Sequence, residues 1–174
     1  MRKQKGFSLI ELLIVVAIIL IIAAIAIPSL LRSKMLANQS AAASTIRSLI
    51  TAESTYLSTY GQVVGYPLLI ANLGVPAPPA PCTPGLVPPP AAACLIDPVL
   101  TTGFKGGYQY EAIGYNAAAP LGNQSFTVDT IATNPGYTGN VNYCATDEAV
   151  VFFRPAPSGL VGGVPCPAAF TPMQ

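Results

Sequence analysis

Glu11 is the first residue of this 174-residue chain that calls for a chemical reason. It is the one charge within the apolar run FSLIELLIVVAIILIIAAIAIPSLL, from Phe7 to Leu31. An ionised carboxylate deep in lipid costs roughly 3 kcal/mol or more, so such groups are paired or functional unless they sit shallowly enough to reach headgroups or water. The other chemistry-bearing set is Cys82, Cys94, Cys144 and Cys166. Four thiolates could hold zinc, but neither close pair has the short CxxC-type spacing of such sites. In an exported chain two disulfides are the simpler use, with three connectivities open. Histidine is absent, which removes the commonest general base and metal ligand. With no glycine-rich phosphate loop and no clustered carboxylates, no catalytic residue, metal or cofactor is expected, and the chain does not read as an enzyme.

The composition says where these residues must sit. Hydrophobic residues make up 52% of the chain and charged residues only 9%, against about a quarter charged in ordinary soluble domains. Much of the apolar excess lies in the first thirty-odd residues. After Glu11 the run carries no charge until Arg32, and as a helix it can cross a hydrocarbon core of about 30 Å. Arg2, Lys3 and Lys5 precede it, so the positive-inside rule keeps the N-terminus cytoplasmic and sends the rest across. A cleaved secretory signal has a shorter apolar region that ends at a small-x-small site, which this segment lacks. Beyond the run, Arg32, Lys34, Arg47, Lys105 and Arg154 are set against Glu53, Asp97, Glu111, Asp129, Asp147 and Glu148. No basic patch offers itself to phosphate backbones, so nucleic acid is not expected as the main partner.

The segment Lys5-Gly6-Phe7-Ser8-Leu9-Ile10-Glu11, with its basic leader and long apolar run, resembles the type IV prepilin signal. The resemblance implies that a prepilin peptidase removes residues 1–6, cutting between Gly6 and Phe7, and that Phe7 becomes the N-methylated first residue of the mature chain. It also gives Glu11 a role in filament assembly. The freed amine of Phe7, with a pKa of about 8, is largely cationic and can neutralise a buried carboxylate. Glu11 of an incoming subunit is therefore expected to pair with the Phe7 amine of a neighbour. Pro28 removes a backbone donor inside the run, so a kink or local melting of the helix is expected there. The family carries a proline at this place.

Past the membrane segment 7–31, residues 32–61 read as an amphipathic continuation. Leu36, Ala43, Ile50 and Leu57 recur every seven residues beside Ile46, Leu49 and Tyr60, and Gly61 suits a C-cap. One helix of about 7–60 results, roughly 80 Å long. Residues 62–106 include the proline-dense VPAPPAPCTPGLVPPPAAAC, read as a loop between helix and sheet. Alternation around Tyr108–Ile113 and Phe126–Ile131, then Val141–Ala145 and Ala149–Arg154, predicts about four antiparallel strands over 107–154. One face of this sheet is expected to bury Ile46, Ile50 and Leu57. The fold class is α+β, similar to the pilin fold. Nearest-neighbour pairing would join Cys82 to Cys94 and Cys144 to Cys166, the second tethering the Pro- and Gly-rich tail 155–174 as the family's C-terminal disulfide loop does.

The resemblance implies a structural subunit that polymerises into a type IV pilus filament. The implied partners are other copies of the chain, the prepilin peptidase and methyltransferase, and the inner-membrane assembly machinery. The implied location is the bacterial inner membrane first and the cell-surface filament afterwards. A pseudopilin of type II secretion, or a minor pilin, shares the signal, and Glu11 favours a subunit that adds to a growing filament over a tip pseudopilin. A DNA-uptake pilin is a further alternative, against which the sparse cations argue.

Overall fold

The computed structural model describes residues 6–61, 64–75, 82, 88–118, 122–156, 159, 166–167 and 170–173. The basic residues Arg2, Lys3 and Lys5, the centre of the proline-dense loop and much of the expected tail fall outside this set. The chain divides into two compact units, residues 1–34 and 35–174.

The first unit is helical. Helix α1 begins at Leu9 and runs to Tyr60, with Pro28 inside it. From Phe7 to Leu31 its large apolar side chains are between 47% and 80% exposed. An 18-residue stretch of α1 is long and apolar enough to cross a membrane, and none of that stretch is buried within the chain. Surface of this extent is stable only against lipid or other protein.

The second unit holds the rest of α1 and a six-stranded sheet. The strands are β1 (Phe104–Lys105), β2 (Tyr108–Ala118), β3 (Gly122–Ala132), β4 (Val141–Thr146), β5 (Val151–Pro155) and β6 (Thr171–Pro172). They lie in chain order and every neighbouring pair is antiparallel. The four long strands occupy the interval the alternation marks. The two added edge strands are two residues each, too short for any periodic signal. Side chains alternate across a strand, and the register sets Tyr108 opposite Ala132, Ala112 opposite Val128, and Val128 opposite Ala145 on one face. That face forms the core with Ala42, Ala43, Ile46, Leu49, Ile50 and Tyr56 of α1.

Two expectations change here. Leu36 is 60% exposed and Leu57 only half-buried, so the repeat Leu36, Ala43, Ile50, Leu57 is buried only at its two middle positions. The centre of the buried stripe lies one residue to the side, through Ala42, Ile46, Leu49, Glu53 and Tyr56, which keep the same seven-residue spacing. The expected loop 62–106 also contains two short helices, α2 (Ile70–Leu73) and α3 (Pro98–Thr101), as well as β1. Asp97 explains α3: its side chain accepts from the Leu100 amide at 2.9 Å, and Pro98 follows at the first helical position, a start signal that dense proline elsewhere in the loop had obscured.

The outer face of the sheet is covered in part by the tail. Cys144, on the face opposite the core, bonds to Cys166, and Phe170 is buried with the Arg154 guanidinium 4.4 Å from its ring centre. Central β3 and β4 residues are therefore buried on both faces, Thr127 and Asp129 among them.

Candidate functional site

The N-terminal site is built at the start of α1. Ser8 precedes the first helical residue, and Glu11 sits in the first turn. The Glu11 Oε2 accepts the Ser8 backbone N–H at 2.9 Å, and the Ser8 carbonyl accepts from the Leu12 amide at 3.3 Å. This is the glutamate half of a capping box, which satisfies a backbone donor that a helix start leaves orphaned. The carboxylate also complements the positive end of the helix dipole. The spacing Ser8-x-x-Glu11 carries this signal in the sequence, behind the more conspicuous signal of a charge in an apolar run. A carboxylate has acceptor capacity on both oxygens, so Oε1 and the remaining lone pair of Oε2 can take a second donor.

Gly6 and Phe7 lie just ahead of the helix. Phe7 is 78% exposed. A Cβ added at Gly6 would meet nothing within 4 Å. Packing among the described residues therefore imposes no glycine at position 6. Pro28 lies farther along α1, with helix on both sides. Lacking an N–H, it leaves the Ala24 carbonyl without its usual partner one turn earlier.

In the second unit the cysteines are paired. Cys82 joins Cys94, with Cα atoms 6.0 Å apart, and Cys144 joins Cys166, with Cα atoms 5.9 Å apart. The end of α1 holds the proline-rich segment by two tyrosines. Tyr56 Oη donates to the Pro90 carbonyl at 2.9 Å and Tyr60 Oη to the Pro88 carbonyl at 2.6 Å, their rings 4.8 Å apart. Gly61 ends the helix: its amide donates to the Leu57 carbonyl at 2.8 Å, and a side chain there would collide with that carbonyl oxygen.

Glu53 was not singled out by the sequence. It is fully buried, and neither carboxylate oxygen has a hydrogen-bond partner among the described residues. Burial pushes its pKa up to about 8, so the carboxyl is largely protonated at neutral pH. Tyr56 and Tyr66 are near enough for its charge to raise theirs, after the larger effect of their own burial, and Asp147 also acts on Tyr66.

Comparison with known proteins bears on the N-terminal site and on the whole chain. A family model described as the prokaryotic N-terminal methylation motif matches residues 1–27. The type IV wide pilus major component of Thermus thermophilus is 34% identical over 108 residues, covering 62% of this chain and 79% of that protein. The type IV major pilin protein of Myxococcus xanthus is 46% identical over 56 residues, 32% of this chain and 26% of that protein. No solved structure matches the chain with comparable significance. The chain belongs to the type IV pilin family. It is a pilus subunit, with the long helix and antiparallel sheet of the pilin fold.

Proposed function

We propose that this chain is a major, filament-forming pilin, matured by cleavage between Gly6 and Phe7 and methylation of the Phe7 amine. The observation that carries the reading is the first unit of α1: an apolar helix surface exposed along its length, with a carboxylate fixed at its very start. Lipid covers that surface in the precursor. Neighbouring helices cover it in the filament, so the same residues serve in turn as anchor and as filament core. The open surroundings of Gly6 fit a residue required by a peptidase and not by the fold, since a glycine backbone can lie close to a protein that reads it.

Glu11 then has two tasks. It caps its own helix through Ser8 and offers its remaining acceptor capacity to the Phe7 amine of an adjacent subunit. A charge pair of this kind offsets the cost of burying either group alone and sets how far one subunit is shifted along the next. Pro28, which deprives the Ala24 carbonyl of its usual donor, is where α1 would bend or unwind as helices pack in the filament. The prepilin peptidase and methyltransferase, the inner-membrane assembly machinery and other copies of this chain are the partners. The precursor resides in the inner membrane and the filament at the cell surface. Both relatives are named as major components of their pili, which favours the major pilin over a pseudopilin or minor pilin. Electron microscopy of a sheared surface fraction tests this reading: abundant long filaments composed of this chain support it, and a chain confined to the membrane contradicts it.

A further inference from the structure

The second unit carries a projecting knob at one end and a pocket at the other. The knob is Tyr137, 72% exposed on the turn between β3 and β4. This turn is firmly built. The Asn134 amide donates to Thr138 Oγ1 at 3.0 Å, and the amides of Tyr137 and Thr138 both donate to the Asn134 carbonyl. Gly136 takes a positive φ of 87°, and its amide donates to Asn140 Oδ1 at 2.9 Å. Asn38 of α1 donates to the Thr138 carbonyl at 3.3 Å, pinning the turn to the helix. A tyrosine carried on a turn held by so many bonds adds only its own side-chain freedom to the cost of binding, as rigidly mounted aromatic anchors at interfaces do.

The pocket has a volume of about 250 Å³ and is lined by Tyr115, Thr146, Asp147, Glu148, Phe152 and Cys166. It lies on the outer face of the sheet, at the end of the unit away from Asn38. Strand β4 spans the interval: its Val141 carbonyl accepts from Tyr108 Oη beside the turn, and Thr146 lies at the pocket. From Val141 to Thr146 that strand covers about 17 Å at strand rise. Two aromatic walls suit an offset or edge-on ring. The carboxylates of Asp147 and Glu148 suit a hydroxyl donor, since bonds to ionised acceptors are the stronger kind.

A filament of identical subunits is held by heterologous contacts, in which one patch of the chain meets a different, complementary patch of the next copy. We infer that Tyr137 of one subunit inserts into the Tyr115–Phe152 pocket of another, its ring between the aromatic walls and its hydroxyl on Asp147 or Glu148. This contact rests on the filament reading above and adds to it a specific link between the globular units.

A photoreactive phenylalanine analogue placed at position 137 tests the contact in assembled filaments. Irradiation is expected to join two subunits through peptides containing Tyr115 or residues 146–152. Filaments that form normally but crosslink elsewhere overturn the contact and leave the filament reading intact. A wild-type chain that never polymerises overturns both. Tyr137→Ala is expected to lower filament yield at least tenfold and Tyr137→Phe several-fold less than that, with membrane levels and both disulfides unchanged. Wild-type yield from Tyr137→Ala also overturns the proposal.

Discussion

The Glu11 carboxylate holds the backbone N–H of Ser8 at 2.9 Å, at the first turn of the long apolar helix. One side chain therefore has both a local use, as a helix cap, and a charge with no opposite charge at hydrogen-bond distance in its own chain among the described residues. The two uses are separable by substitution.

Glu11→Gln keeps an acceptor for the Ser8 amide and loses the charge, whereas Glu11→Ala loses both. Assembly that depends on the charge pair falls at least tenfold in both variants, while the membrane form is still processed between Gly6 and Phe7. Loss of a cap alone costs about 1 kcal/mol, so if capping were the whole role, the glutamine variant would assemble normally. Filament yield in sheared fractions decides between them.

Gly6→Val should leave helix content unchanged, because the space around position 6 is open. The leader nevertheless stays attached. Mass spectrometry of the membrane fraction should show only the full-length precursor, and a mature mass from this variant would remove Gly6 from the processing site.

Stability of the second unit should fall as pH rises. Glu53 has a folded pKa of about 8 against an ordinary value of 4.5. The folded chain therefore binds the proton more tightly than the unfolded one. The associated stability is fully present below the unfolded value and is lost as pH climbs towards the folded one, by at most roughly 4–5 kcal/mol. Tyr56 and Tyr66 face Glu53, and both stay neutral through this window because their pKa values are raised above 10.0. Thermal unfolding of the detergent-solubilised chain should show a midpoint that drops between pH 5 and pH 8. Glu53→Gln, which cannot ionise, should flatten that slope.

Removing a disulfide should loosen the second unit without stopping membrane insertion. Cys144 and Cys166 close a loop with a sequence separation of 22, worth about 3 kcal/mol by chain-entropy arguments. Cys144 is also fully buried on the outer face of the sheet, so its replacement by Ser strands a hydroxyl there. Cys144→Ser should lower the unfolding midpoint more than Cys82→Ser, whose loop has a separation of only 12.

What could be read from sequence follows the range of the interactions involved. The long apolar segment, the N-terminal methylation motif and the four long strands are written in consecutive residues, through hydropathy, charge and alternation. The pilin class follows from Gly6, Phe7 and Glu11 together. Burial of Glu53 is invisible locally, since a glutamate flanked by Ala52 and Ser54 reads as a solvated helix position. Residues arriving from elsewhere in the chain, Tyr66 near it among them, account for that burial. Leu36 misleads in the opposite sense: it continues the apolar repeat, yet it lies beyond the reach of the core. The edge strands β1 and β6 are fixed by their neighbours' hydrogen bonds and not by any pattern of their own.

The central claim is that the N-terminal helix is processed at Gly6 and then polymerises. Intact-mass and N-terminal peptide analysis of purified sheared filaments tests it most directly. A dominant subunit that begins at N-methylated Phe7, with both disulfides intact, is the predicted result. Filaments whose subunits retain residues 1–6, or begin at any residue other than Phe7, would contradict it.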